Sequence, residues 1–175
     1  MGVAYLITGT TGVGKSTVAQ KLADLLDGEF VELDHVVAGW YTEIGEPVGS
    51  RPEDPDEKWI TQFRWCWDLS RLEPMMRRRS GTTVCAGYAD NMEAAFDLFD
   101  RIFLLCVDAE TQQRRLADPS RQNAFAQSAP VRQQMLAHLE EFQPRLTARS
   151  DVTTVDACQP LEVVVADTRS LVDPS

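Results

Sequence analysis

Gly9-Thr10-Thr11-Gly12-Val13-Gly14-Lys15-Ser16-Thr17, the stretch GTTGVGKST, decides the reading of this chain. Gly9, Gly14, Lys15 and Ser16 satisfy the spacing G-x-x-x-x-G-K-[ST]. Glycines let a backbone curl until several N–H groups point at one anion. A helix that follows adds the positive end of its dipole. In this pattern Gly9, Thr10, Thr11, Gly12, Val13 and Gly14 form the cradle, and Lys15 reaches the β- and γ-phosphates. Ser16 offers its hydroxyl to Mg²⁺, and Thr17 adds a contact to the α-phosphate. A dinucleotide loop of the G-x-G-x-x-G kind has other spacing and leaves Lys15-Ser16 without a task.

The context around the loop agrees. VAYLIT (Val3 to Thr8) is a short apolar run that reads as a buried strand. Beyond the loop, Val18, Ala19, Leu22, Leu25 and Leu26 recur at helical spacing, and Asp27-Gly28 ends that helix. Further strands are expected at EFVELD (29–34), TTVCAG (82–87), RIFLLCV (101–107) and VTTVDA (152–157). Helical segments fall at 91–99, 110–116 and 160–172. Ser128 caps another, which Pro144 should bend or end near Gln143. Five strands alternating with helices imply a three-layer α/β/α fold around a parallel five-stranded sheet. No internal repeat or low-complexity segment interrupts residues 1–175, which read as one domain.

Two regions stand outside that scheme. Residues 38–57 are rich in Gly, Pro and acidic residues and read as a long loop, followed by a helix over 57–79 that Pro74 bends near its end. On that helix Trp59, Ile60, Phe63, Trp67 and Met75 would face the core, and Thr61, Arg64, Trp65, Asp68 and Arg71 would lie on another face. The second region, 117–130, is a polar, turn-rich excursion.

The formal net charge of −10 disfavours a nucleic-acid backbone or an anionic membrane as partner. No secretory leader or membrane span is visible, so a cytoplasmic location is expected. Cys66, Cys85, Cys106 and Cys158 form no C-x-x-C pair and read as reduced thiols. His35 and His138 are too few and too far apart for a zinc cluster.

A phosphate loop followed by an acidic strand end in so small a domain resembles the small P-loop kinases: shikimate kinase, gluconate kinase and the nucleoside monophosphate kinases. The resemblance runs over nearly the whole chain. It implies strand order 2-3-1-4-5, ATP and Mg²⁺ as cofactors, a small-molecule acceptor, a mobile lid over 117–130 and an acceptor-covering region over 38–79. By the same likeness Glu32 would lie near the metal and Asp34 would bind the acceptor. Side chains at i and i+2 share one face of a strand, and a carboxylate can take a hydroxyl proton. Within RRLADPSRQNAF, Arg121 would close the lid over the phosphates and Arg115 would lie on the base side, with Ala157 packing against the adenine edge. Gly87 would approach the acceptor. Arg64 and Trp65, with Trp40 and Tyr41 before them, are candidate acceptor contacts. A monomer or weak homodimer is the default.

Two other function classes remain open. RIFLLCVD ends in Asp108 and mimics a Walker B strand, which leaves a P-loop ATPase. A non-catalytic nucleotide-binding module is the other. A GTPase switch would need N-K-x-D, which the chain lacks.

Overall fold

The structure is a computed structural model that describes residues 2–49, 56–120, 126 and 128–172. In chain order its elements begin with β1 (Val3–Thr8), α1 (Lys15–Leu25), β2 (Glu29–Glu32), α2 (Leu33–Val36) and β3 (Ala38–Tyr41). They continue through α3 (Glu57–Gln62), β4 (Arg64–Trp67), α4 (Leu69–Arg77), β5 (Thr82–Ala86) and a 3-10 helix over Met92–Leu98. The last are β6 (Arg101–Cys106), α5 (Ala109–Ala117), α6 (Ala129–Thr147), β7 (Val152–Asp156) and α7 (Leu161–Val172).

The main sheet has the order β2-β5-β1-β6-β7, with every ladder parallel. Numbered by their own sequence order, these five strands read 2-3-1-4-5, as expected. β1 is central, so the loop after it opens at the carboxyl end of the sheet, where open α/β sheets place their ligands.

The run VAYLIT is apolar throughout because both faces of the sheet are covered. Tyr5 and Ile7 face α1 and α7 in one core, together with Val84, Phe103, Leu105, Leu22 and Val164. Ala4 and Leu6 face the opposite core, with Cys85, Leu104, Leu72, Phe96 and Phe142. The period of two along the strand sorts the side chains between these cores. Truncating a residue such as the fully buried Phe103 to Ala would cost about 3–5 kcal/mol.

The expected helix over 57–79 is instead α3, β4 and α4. The run Phe63-Arg64-Trp65-Cys66-Trp67 favours extended backbone, since its aromatic residues suit a pleated surface. Asp68 then caps α4 by accepting a hydrogen bond from Ser70 N. α4 carries Pro74 inside it and ends at Arg77. Trp67 is buried in the core; Trp59 and Phe63 pack on each other with ring centroids 4.4 Å apart, outside the two main cores.

β4 pairs antiparallel with β3 to form a two-stranded ribbon, Trp40 opposite Trp65. The loop after β5 covers the other edge of β4. Trp65 N donates to Asp90 Oδ2 (3.2 Å), and Asp90 N donates to Trp65 O (2.8 Å). The Asn91 side chain clasps the next free position: its Oδ1 accepts from Trp67 N (2.8 Å) and its Nδ2 donates to Trp67 O (2.9 Å).

Pro144 does not end α6, which continues to Thr147; near a helix end one missing N–H removes little. Just before it, Gln143 clamps Val107 by accepting from its N–H (3.0 Å) and donating to its carbonyl (3.3 Å). All four cysteines are free.

Candidate active site

The phosphate loop is held in shape from behind. Gly9, Gly12 and Gly14 have φ of 149°, 86° and 100°. A Cβ on Gly9 would lie 2.8 Å from Val13 Cγ2 and 2.9 Å from Leu105 O, so no side chain fits there. Gly14 occupies the N-cap of α1 with no side-chain cap, which leaves the first N–H groups of the helix for another acceptor. Lys15 Nζ donates to Thr10 O at 3.1 Å.

Two side chains of α5 pin this loop. Buried Gln112 donates from Nε2 to Thr10 Oγ1 (2.9 Å) and Thr11 O (3.1 Å). The Arg115 guanidinium donates to Val13 O (3.0 Å) and to Ala157 O (2.7 Å). It thereby ties the phosphate loop to the turn after β7. Arg115 is thereby in contact with buried Ala157, the residue that the resemblance sets beside the adenine edge. Nothing in the sequence marked Gln112; its neighbour at i+3 on the same helix face, Arg115, was the available signal. Asp108, the end of the Walker B mimic, caps α5 by accepting from Thr111 N (2.6 Å).

The two carboxylates of ELD do not share a strand. β2 stops at Glu32, and Asp34 lies in the short helical turn of α2. Both nevertheless line one cavity with the loop. Burial raises the pKa of the Glu32 carboxyl; a hydrogen bond with Ser16 opposes that rise, Asp34 adds to it, and Lys15 opposes it. Asp34 Oδ1 accepts from Tyr88 N (3.1 Å) and faces Trp65 Nε1 at 3.5 Å. Gly87 sits directly behind: a Cβ there would lie 3.2 Å from Asp34 Oδ1 and 3.0 Å from both Leu33 Cβ and Trp67 Cζ2.

The cavity measures about 1230 Å³. One end is the phosphate loop with Lys15, Ser16 and Arg115; the other holds Asp34, Trp40, Trp65, Tyr88 and Asp90. Trp65, a candidate acceptor contact, lines this cavity from a strand rather than a helix. Arg64 does not line the cavity; its side chain is exposed, with Nε 3.9 Å from Asp90 Oδ2. Gln134 and His138 from α6 also line it, and no motif marks either of them. Arg121 lies outside the described residues, as does most of the 121–127 part of the expected lid.

A family model described as shikimate kinase matches residues 11–171, nearly the full chain. The chain belongs to the shikimate kinase family. It is a small P-loop kinase by family, and its solved structural neighbours share the fold at low identity. A gluconokinase from Sinorhizobium meliloti 1021 is 16% identical, with TM-score 0.59, covering 96% of this chain and 90% of its own. A shikimate kinase from Acinetobacter baumannii in complex with shikimate is 18% identical, with TM-score 0.60, covering 98% and 93%. A deoxyadenosine kinase from M. mycoides with bound dATP is 15% identical, with TM-score 0.59, covering 96% and 98%. No curated protein matches. Among the described residues, no helix is long and apolar enough to cross a membrane.

Proposed function

We propose that this member of the shikimate kinase family is an ATP- and Mg²⁺-dependent kinase that transfers the γ-phosphoryl group to a hydroxyl or phosphate acceptor. One observation carries the reading: a single cavity joins the phosphate loop to a carboxylate, Asp34, set among ring side chains. An enzyme that only hydrolyses nucleotide has no use for a furnished second chamber.

The residues present fit both cofactors. The uncapped N-terminus of α1 and the glycine curl suit a polyphosphate. Ser16 and the half-buried Glu32, whose charged form is disfavoured by burial, line the same cavity and suit a cation that would restore that charge. Among the described residues no group of three His, Cys, Asp or Glu side chains forms a metal cage. That agrees with Mg²⁺, which keeps waters and phosphate oxygens as ligands. When bound, the ion neutralises charge on the transferring group.

Lys15 stands beside the β- and γ-phosphate positions and offsets the negative charge that builds there. Asp34 orients the acceptor hydroxyl and takes its proton at a carboxylate oxygen, while Tyr88 N fixes that carboxylate. Arg115 and Ala157 border the base side. The enzyme is taken as a cytoplasmic monomer or weak homodimer.

The test is an ATP-consumption screen over shikimate, gluconate, sugars, nucleosides and nucleotides, with product identification by mass. Lys15→Ala should abolish transfer, and Asp34→Asn should lower acceptor-dependent turnover by about 10²-fold while leaving ATP binding nearly intact. Vigorous ATP turnover without any phosphorylated acceptor would replace this reading with an ATPase.

A further inference from the structure

Resting on that kinase reading, we propose that the acceptor is a neutral or positively charged ring alcohol, and that alcohols bearing a carboxylate or phosphate are rejected. The two ends of the cavity differ in chemistry. At the far end three carboxylates line the wall: Asp34, Asp90 and Glu141. The lysine and arginine that line the cavity among the described residues, Lys15 and Arg115, lie at the phosphate end. Arg64 pairs with Asp90 at 3.9 Å from outside the lining, with its side chain exposed, and so offsets that charge only in part.

Residues of the same walls hold polar atoms that are closed off from solvent and lack a partner. Trp40 is only 8% exposed, lines the cavity, and its indole N–H has no partner among the described residues. Gln134 Oε1 and His138 Nε2, from α6, are also buried, unpartnered and on the cavity lining. Native proteins seldom leave such groups unpaired, and each lies one side-chain rotation from the cavity that its residue lines, where a ligand atom would satisfy it. Gln134 Oε1 accepts only, and therefore calls for an O–H or N–H on the acceptor molecule. Trp40 N–H calls for a ring or hydroxyl oxygen. Trp40 and Trp65, with centroids 5.3 Å apart at 63°, supply aromatic surface that favours a ring body and attracts a cation. A carboxylate in this chamber would face like charges in partly dry surroundings, which weakens binding by at least about tenfold.

The experiment sorts ring alcohols by charge and uses two readouts on the whole chain. The panel holds glucosamine and other amino sugars, then glucose and nucleosides, then glucuronate and sugar phosphates. Phosphorylated product is followed by mass, and binding by tryptophan fluorescence, with Trp65→Phe as the control for quenching in the chamber. The neutral or amino class should exceed the anionic class by at least about tenfold in kcat/KM and in affinity. Glu141→Lys, on the exposed rim, should narrow that ratio, and Gln134→Leu should weaken the best acceptor without changing ATP affinity. If the anionic class leads in either readout, or no class binds, the assignment is overturned. If the neutral or amino class binds but nothing is phosphorylated, the chamber assignment stands and the kinase reading falls.

Discussion

Replacing Gly87 with alanine adds one methyl group where three neighbours leave no room. The added Cβ would lie 3.0 Å from Leu33 Cβ, 3.0 Å from Trp67 Cζ2 and 3.2 Å from Asp34 Oδ1. Carbon contacts settle near 3.5–4.0 Å, so each neighbour must yield by several tenths of an ångström. Leu33 and Trp67 are 0% and 2% exposed, and Trp67 is clasped by Asn91. Asp34 is the softer neighbour, because Tyr88 N and the 3.5 Å approach of Trp65 are its polar contacts here. Overpacking of this kind costs about 1–3 kcal/mol. In a chain of this size that lowers Tm by roughly 2–12 °C, at ~2–4 °C per kcal/mol. Since an error of about 1 Å at a reacting group costs ~10²-fold, a few tenths at Asp34 costs roughly five- to tenfold in acceptor kcat/KM. ATP affinity should stay within about twofold, since the methyl lies away from the phosphate loop. Thermal unfolding, nucleotide titration and acceptor kinetics measure the three quantities separately. A variant with unchanged Tm and unchanged acceptor kcat/KM would show that Gly87 does not set the position of Asp34.

Arg115→Met keeps the aliphatic stem but loses both carbonyl contacts, so nucleotide Kd should rise about tenfold, while acceptor KM moves within about twofold; calorimetric titration decides it, and an unchanged nucleotide Kd would sink the role. Burial holds the His138 imidazole below 6.5, with Arg145 adding to that and Asp90 and Glu141 opposing it, while Tyr88 and Phe142 pack against the ring. A depressed folded pKa means the unfolded chain binds the proton more readily. The stability contributed by the neutral ring is therefore present above 6.5 and lost as pH falls through the lower folded value. Thermal unfolding over about pH 5 to 8 should show His138→Phe losing less stability at the acidic end than the parent; equal slopes refute this. Burial pushes the Cys85 thiol up to about 12, so a thiol reagent at about pH 8 should label it only on unfolding, as peptide mass mapping would show.

The parts of this molecule that were legible from sequence are those where local pattern and tertiary structure agree. GTTGVGKST sits between a strand and a helix that its neighbours would form anyway, and the five apolar runs became the five sheet strands. The 57–79 segment was misread because Trp59, Phe63 and Trp67 fit a spacing of four, while Phe63, Trp65 and Trp67 fit a spacing of two. What decides between them is Asp90 and Asn91, more than twenty residues away in sequence, which supply hydrogen bonds that only an extended β4 can use. Asp34 lines the cavity with the phosphate loop, but the i, i+2 strand argument for it fails, because the chain turns helical at Leu33. Gln112, Gln134 and His138 carry no motif. Their place in the site comes from the way α5 and α6 pack over the loop, which no local pattern records.

The clasp of Asn91 on Trp67, together with the two hydrogen bonds between Asp90 and Trp65, bears on how the protein behaves in a crowded solution. A ribbon of two strands is a poor structure by itself and offers its outer edge to any passing chain. Here the outward N–H and C=O groups of Trp65 and Trp67 are already spoken for. A strand edge studded with tryptophans, otherwise a template for self-association, is closed by two residues of a neighbouring loop. The chamber can therefore keep its aromatic walls without making the molecule sticky.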